Sequence, residues 1–158
     1  NLGYVEKLVK QADGEWNMTT MHFVDGQTNN PCQKPPWGLL SAVNVNTGDI
    51  AWQVPLGVTD SFPAGKQETG RPSNGGPIVT ASGLTFIGGT DDARFRAFDS
   101  RTGKQLWTTK LDYSAQATPI TYQGKDGRQY VAVVATGGSY LNSPSGGDSL
   151  VVFALPKP

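Results

Sequence analysis

The chain has 158 residues, with 13 basic and 13 acidic side chains and a net charge of zero. That length supports one domain with a real core, and the balanced charge argues against nucleic acid as a partner, which needs a basic face. Twenty Gly and 11 Pro suit many turns between short strands without reaching a disordered composition.

The longest apolar runs, such as Tyr130 to Ala135, have strand length, so neither a transmembrane helix nor a signal peptide is expected. Asn1 is not an initiating methionine, so the chain is expected to be a piece of a longer one, whose targeting it leaves open. Cys32 is the single cysteine: it is either a buried thiol or one whose partner lies outside the chain.

In chain order, residues 1 to 36 read as an irregular entry segment. Leu2, Val5, Leu8 and Val9 have helix-like spacing over barely two turns, and the prolines between Pro31 and Pro36 exclude regular structure there. His22 is the only histidine and has no second ligand at metal spacing. Strands are then expected at Leu39 to Val45, Ile50 to Val54, Ile78 to Ala81, Leu84 to Gly88, Phe95 to Asp99, Gln105 to Lys110, Thr118 to Tyr122, Tyr130 to Ala135 and Leu150 to Ala154. Asn46-Thr-Gly48, Arg101-Thr-Gly103 and Gly124-Lys-Asp-Gly127 supply hairpin turns. Gly57 to Gly76 and Ser139 to Asp148 read as long polar loops, and loops of that length in a compact domain are usually functional. In the first of them, Lys66 and Arg71 read as solvated charges.

The decisive feature is a repeat. Ala42-Val-Asn-Val-Asn-Thr-Gly-Asp-Ile-Ala-Trp52 recurs 55 residues later as Ala97-Phe-Asp-Ser-Arg-Thr-Gly-Lys-Gln-Leu-Trp107. Each copy reads as strand, tight turn, strand. A period near 50 with four short strands per unit is the signature of a β-propeller blade. The repeats predict one complete blade over roughly Pro77 to Thr109, an incomplete blade before it and three strands of another after it. About two and a half blades cannot close a ring, which takes at least four. Trp52 and Trp107 then read as packing residues that dock on the neighbouring blade, and Trp37 is assigned to packing as well.

The repeat with its docked tryptophan resembles the quinoprotein dehydrogenases, enzymes that use pyrroloquinoline quinone (PQQ) in an eight-bladed propeller. Pro31-Cys-Gln-Lys-Pro-Pro-Trp-Gly38 is similar to a segment they carry before a late blade. Gly75-Gly-Pro-Ile-Val-Thr-Ala-Ser-Gly-Leu-Thr-Phe-Ile-Gly-Gly-Thr-Asp-Asp92, Phe95-Arg-Ala-Phe-Asp99, Ala117-Thr-Pro-Ile-Thr-Tyr122 and Gly137-Gly138 extend the likeness. The end, Gly147-Asp-Ser-Leu-Val-Val-Phe-Ala-Leu-Pro156, is similar to the C-terminus of the membrane-bound glucose dehydrogenase branch. The likeness covers residues 31 to 156. It implies an all-β fold, with residues 37 to 158 as C-terminal blades of a larger quinoprotein domain. It further implies a periplasmic enzyme that oxidises a sugar, polyol or other alcohol with PQQ and Ca2+ or Mg2+. Electrons would pass to ubiquinone or a cytochrome, and a missing N-terminal part could attach the parent to the inner membrane.

Alcohol oxidation by an orthoquinone needs a base or metal at the hydroxyl, a cation at the developing oxyanion and dry walls around the cofactor. No segment matches the family's metal ligands, catalytic aspartate or tryptophan floor, so the chain is expected to supply pocket wall and to be inactive alone. Asp92, at the end of an inner strand, matches an acidic residue lining the family's cofactor pocket; its other reading is a turn aspartate that caps local N–H groups. Asn74 and Gly75 are the other cofactor-binding candidates, because backbone without a Cβ can approach cofactor carboxylates; a strand-entry turn is the alternative. Asp91 reads as the plain turn residue. Two further expectations follow: a non-catalytic propeller scaffold is the competing function, and open strand edges should make the isolated chain associate with itself.

Overall fold

The computed structural model describes residues 4–28, 30–138 and 143–155. Among these there is no helix, and they form eleven strands in four antiparallel sheets.

The complete blade is β5 (Ile78–Val79), β6 (Leu84–Ile87), β7 (Arg94–Asp99) and β8 (Gln105–Lys110), hydrogen-bonded in that order. An isolated bridge between Ser73 and Thr90 continues the β5–β6 pairing past the glycines at its inner end. Before it stand β3 (Leu39–Val43) and β4 (Ile50–Pro55), the last two strands of an incomplete blade. The repeat is visible in the register. Ala42 faces Trp52 and Ala97 faces Trp107, and in both hairpins a register shift follows that alanine. After the complete blade come β9 (Ile120–Gln123), β10 (Gln129–Gly138) and β11 (Ser143–Ala154), with β10 in the middle.

Two apolar clusters hold the blades together. Between the first and second lie Leu40, Leu56, Ile87 and Phe98, with Trp52 and Val54 against them. Between the second and third lie Phe95, Ala115, Val131 and Val133, with Phe86, Val151 and Phe153 among their neighbours. Strand β7 serves both clusters because successive side chains point to opposite faces. Phe98 faces the preceding blade and Phe95 the following one, and both are almost completely buried. Trp52 lies on the next blade's turn and donates its indole N–H to the Ser100 carbonyl at 3.0 Å. Trp107 meets Phe95 and Phe153 edge-on, with ring centroids 6.2 and 5.2 Å away. Trp37 is buried, edge-on to Phe62, and donates to the Gln33 carbonyl.

Three expectations change. Residues 1 to 36 are not irregular throughout: β1 (Tyr4–Lys10) and β2 (Trp16–His22) form a hairpin paired from Tyr4↔His22 to Lys10↔Trp16. The short helix-like spacing loses to the partner strand and to a turn in which Gly14 takes φ +89°. The second long loop is shorter than read, since β11 begins at Ser143. Two register shifts, at Gly137 and Gly138, let the β10–β11 hairpin run on past Ala135. Cys32 is an exposed free thiol, so of its two readings the buried one is set aside.

Candidate functional site

At one end of the blades the hairpin connections are tight turns closed by a glycine of positive φ, at Gly48, Gly83, Gly103 and Gly127. At the other end the long segment between β4 and β5, the turn between β6 and β7, the segment before β9 and the bulged end of β10 come together. The sequence candidates Asn74, Gly75 and Asp92 all lie at this loop end.

The turn Asp91-Asp92-Ala93 is fixed by charge. Asp92 is 3 % exposed and is ion-paired to Arg96, itself 2 % exposed. Its carboxylate also accepts from the Val58 N–H at 2.8 Å, the Thr90 hydroxyl at 2.6 Å and the Arg94 N–H at 3.2 Å. Burial alone would push this carboxyl up. The hydrogen bond and charge of Arg96, helped by Thr90 and the Val58 N–H, outweigh it and hold the group below the usual carboxylate range. Both oxygens are therefore engaged within the protein, and direct contact with a bound group would require the ion pair to open.

Asp91 stands in the turn, as read, but it is not a plain turn residue, because it is ion-paired to Arg71. Arg71 grips it with two nitrogens, Nε at 2.7 Å and Nη2 alongside, and donates from Nη1 to the Asn30 Oδ1 at 3.0 Å. The hydrogen bond to Asp91 raises the Arg71 pKa against the effect of burial. This overturns the reading of Arg71 as a free loop charge: its guanidinium ties residues 30, 59 and 91 together. Further out, Asp60 accepts from Arg94 at 2.8 Å and from Lys110 at 3.2 Å. Ala93, between these anchors, takes φ +53°, a left-handed conformation that a non-glycine residue keeps only where its surroundings enforce it.

Asn74 is exposed, and its backbone N–H donates to the Gly89 carbonyl at 2.9 Å. Gly75 lies against the backbone of both neighbours: a Cβ there would come within 2.8 Å of the Gly89 Cα and 3.4 Å of the Gln116 carbonyl. Its missing side chain lets adjacent strands and blades converge where the wedge of the propeller is narrowest. Asn74 and Gly75 thus stand together at the inner strand entry, while the Asp92 carboxylate is committed to its own ion pair.

Sequence reading missed Ser114 and Gln116. Their side-chain polar atoms, Oγ of Ser114 and both Nε2 and Oε1 of Gln116, are closed off from solvent without a hydrogen-bond partner. The available signal was positional: Gln116 stands three residues before Pro119 as Asn74 stands three before Pro77. Among the described residues no three His, Cys, Asp or Glu side chains gather as a metal site.

The model of the PQQ family described as glucose/ethanol/alcohol dehydrogenase, beta-propeller domain, matches residues 3–131. The chain belongs to this family. It is 45% identical over 134 residues to the quinate/shikimate dehydrogenase (quinone) of Acinetobacter baylyi, a match that takes in 80% of this chain and 16% of that protein. It is 40% identical over 131 residues to the quinoprotein glucose dehydrogenase A of Acinetobacter calcoaceticus, again over 80% of this chain and 16% of the relative. Among solved structures, a europium-containing methanol dehydrogenase superposes with a TM-score of 0.67 at 25% identity, over 96% of this chain and 29% of the other. The chain therefore spans about a sixth of the length of these curated relatives. The relatives are quinone-dependent dehydrogenases, and the fold expected from the repeat is the fold found.

Proposed function

We propose that this chain works as C-terminal blades of a longer periplasmic quinoprotein that oxidises an alcohol, polyol or sugar with PQQ and passes the electrons to ubiquinone or a cytochrome. The family match over residues 3–131 carries the reading. Relatives named for quinate and for glucose oxidation at 45% and 40% identity support an enzyme over a scaffold, and put a cyclic polyol of the quinate kind first among substrates to test. Attachment of the parent to the inner membrane belongs to the same proposal.

PQQ is a flat, anionic orthoquinone, and when bound it takes up two electrons and two protons from the alcohol. The loop end fits such a group in one respect: buried polar atoms there lack partners, in Ser114 and Gln116. The space a Cβ would take at Gly75 and Gly89 is filled by the two glycines' own backbones, which draws the strands together there. Asn74 and Gly75 would face the cofactor from the strand entry. Asp92 would act indirectly, by holding Arg96 and residues 88–92 in place. A Ca2+ or Mg2+ ion beside the quinone would draw its ligands chiefly from the rest of the polypeptide. In the isolated chain, the free edges of β3 and β11 would pair with another copy.

The test is reconstitution of the full-length polypeptide with PQQ and Ca2+ or Mg2+, followed by dye reduction with quinate, glycerol, glucose and ethanol. PQQ-dependent turnover on at least one of these is expected, and none from the isolated chain. A full-length protein that binds PQQ but oxidises no alcohol would sink the proposal.

A further inference from the structure

Ser114 to Thr118 lies between two blades. On one side the Gly137 N–H donates to the Ser114 carbonyl at 3.0 Å, which continues the inner strand alongside β10. On the other, a Cβ on Gly88 would come within 2.9 Å of Ala115, and one on Gly75 within 3.4 Å of the Gln116 carbonyl. The segment is thus packed backbone to backbone at the inner, loop end of the blade pair.

Within this packing the Gln116 carboxamide has neither its donors nor its acceptor satisfied, and the neighbouring Ser114 hydroxyl is in the same state. Buried side-chain polar atoms are paired in the large majority of cases, and those that are not call for a ligand, a water or a functional reason. Two of the three atoms belong to one planar amide, so the missing partner must offer an acceptor to Nε2 and a donor to Oε1, or an acceptor alone beside a hydroxyl. The internal repeat adds an independent pointer. Asn74 and Gln116 occupy the same place in consecutive blades, each three residues before the proline that opens the inner strand, so two carboxamides stand at one level of the propeller.

We infer that Gln116, assisted by Ser114, is a hydrogen-bonding contact for the quinone cofactor, reached when the cofactor seats at the loop end beside Asn74. A quinone or carboxylate oxygen of the cofactor accepts from the amide, and its ring N–H or a hydroxyl next to it donates. The inference rests on the PQQ reading above and deepens it by naming residues that the family resemblance does not.

Because an unpaired buried amide is a liability without its ligand, the contact has a two-sided signature. In the full-length polypeptide, Gln116→Leu and Ser114→Ala are compared with wild type by the apo melting temperature and by PQQ affinity from tryptophan fluorescence quenching. Gln116→Leu is expected to melt at the wild-type temperature or a few degrees higher, and to bind PQQ about tenfold more weakly, the loss of one good polar contact. Ser114→Ala is expected to weaken binding about threefold at unchanged melting. Should Gln116→Leu fail to fold, the serine variant decides. Affinity within twofold of wild type in every folded variant overturns the contact and leaves Gln116 a structural orphan. A wild-type protein that does not bind PQQ overturns the functional reading, and the contact with it.

Discussion

The two ends of the complete blade are built on different principles. At the turn end, the β7–β8 hairpin is closed by local bonds: Asp99 accepts from the N–H groups of Arg101 and Thr102 at 3.0 and 2.8 Å, and Gly103 takes φ +73°. The neighbouring Trp52 then lies over that turn. At the loop end, the local Asp92–Arg96 pair is joined by bonds between residues far apart in sequence. Arg71 reaches Asp91 across 20 residues, and the Val58 N–H reaches Asp92 across 34. Local closure can be copied from blade to blade unchanged. Charge-paired closure draws on residues outside the repeat, Arg71, Asp91 and Asp92, and it leaves the loop end free to differ where a ligand would sit.

If that contrast is right, the largest loss follows from opening the buried pair. Asp92→Asn leaves Arg96, 2 % exposed, without its counter-charge, and is expected to cost about 3–5 kcal/mol in urea unfolding. Since the folded Asp92 carboxyl is held below its ordinary range, its stabilisation is present above the unfolded pKa and is lost as pH falls through the folded one. Wild type should therefore lose stability below about pH 4, and part of that dependence should vanish in Asp92→Asn. An unchanged acid limb in the variant would mean the pair contributes little.

The second pair tests whether the long loop is held independently. Arg71→Met removes the guanidinium from Asp91, whose side chain is only 10 % exposed, and is expected to cost about 2–3 kcal/mol. Its distinctive readout is local. Hydrogen exchange should quicken across residues 57–76, while the amides paired between β6 and β7 stay protected. Uniform quickening through the blade would merge the two ends into one cooperative unit and erase the comparison.

The same contrast explains what could be read from residues alone. Strands and their turns were legible from Ala42 to Trp107 because the Thr-Gly repeat states each rule twice: turn chemistry, register and tryptophan placement all recur. The loop end was harder because its determinants are non-local. Arg71 and Asp91 are ordinary polar residues until the fold brings them together, and Asp92, though only four residues from Arg96, looks like a cap until the Val58 N–H meets it. Gln116 left only a positional trace against Asn74. The β1–β2 hairpin was hidden for a similar reason: with one strand of seven residues, apolar spacing cannot separate helix from strand until the pairing partner Trp16–His22 is considered.

The finest test compares two glycines with almost the same backbone. Gly48 and Gly103 close equivalent turns at φ +79° and +73°, so alanine imposes on both the same left-handed strain, about 1 kcal/mol. They differ in what stands above them. A Cβ on Gly48 meets nothing within 4 Å, while one on Gly103 comes within 2.5 Å of the Trp52 ring. Gly103→Ala must therefore also displace the indole that donates to Ser100, and is expected to cost about 1–2 kcal/mol more than Gly48→Ala. Because the backbone terms cancel, the difference between the two variants measures tryptophan docking between blades. Trp52→Ala should bring the two glycine variants to the same cost, since the ring that distinguishes them is then gone. Equal costs with Trp52 in place would show that the indole yields freely, and that the blades are held instead by Leu40, Leu56, Ile87 and Phe98 beneath it.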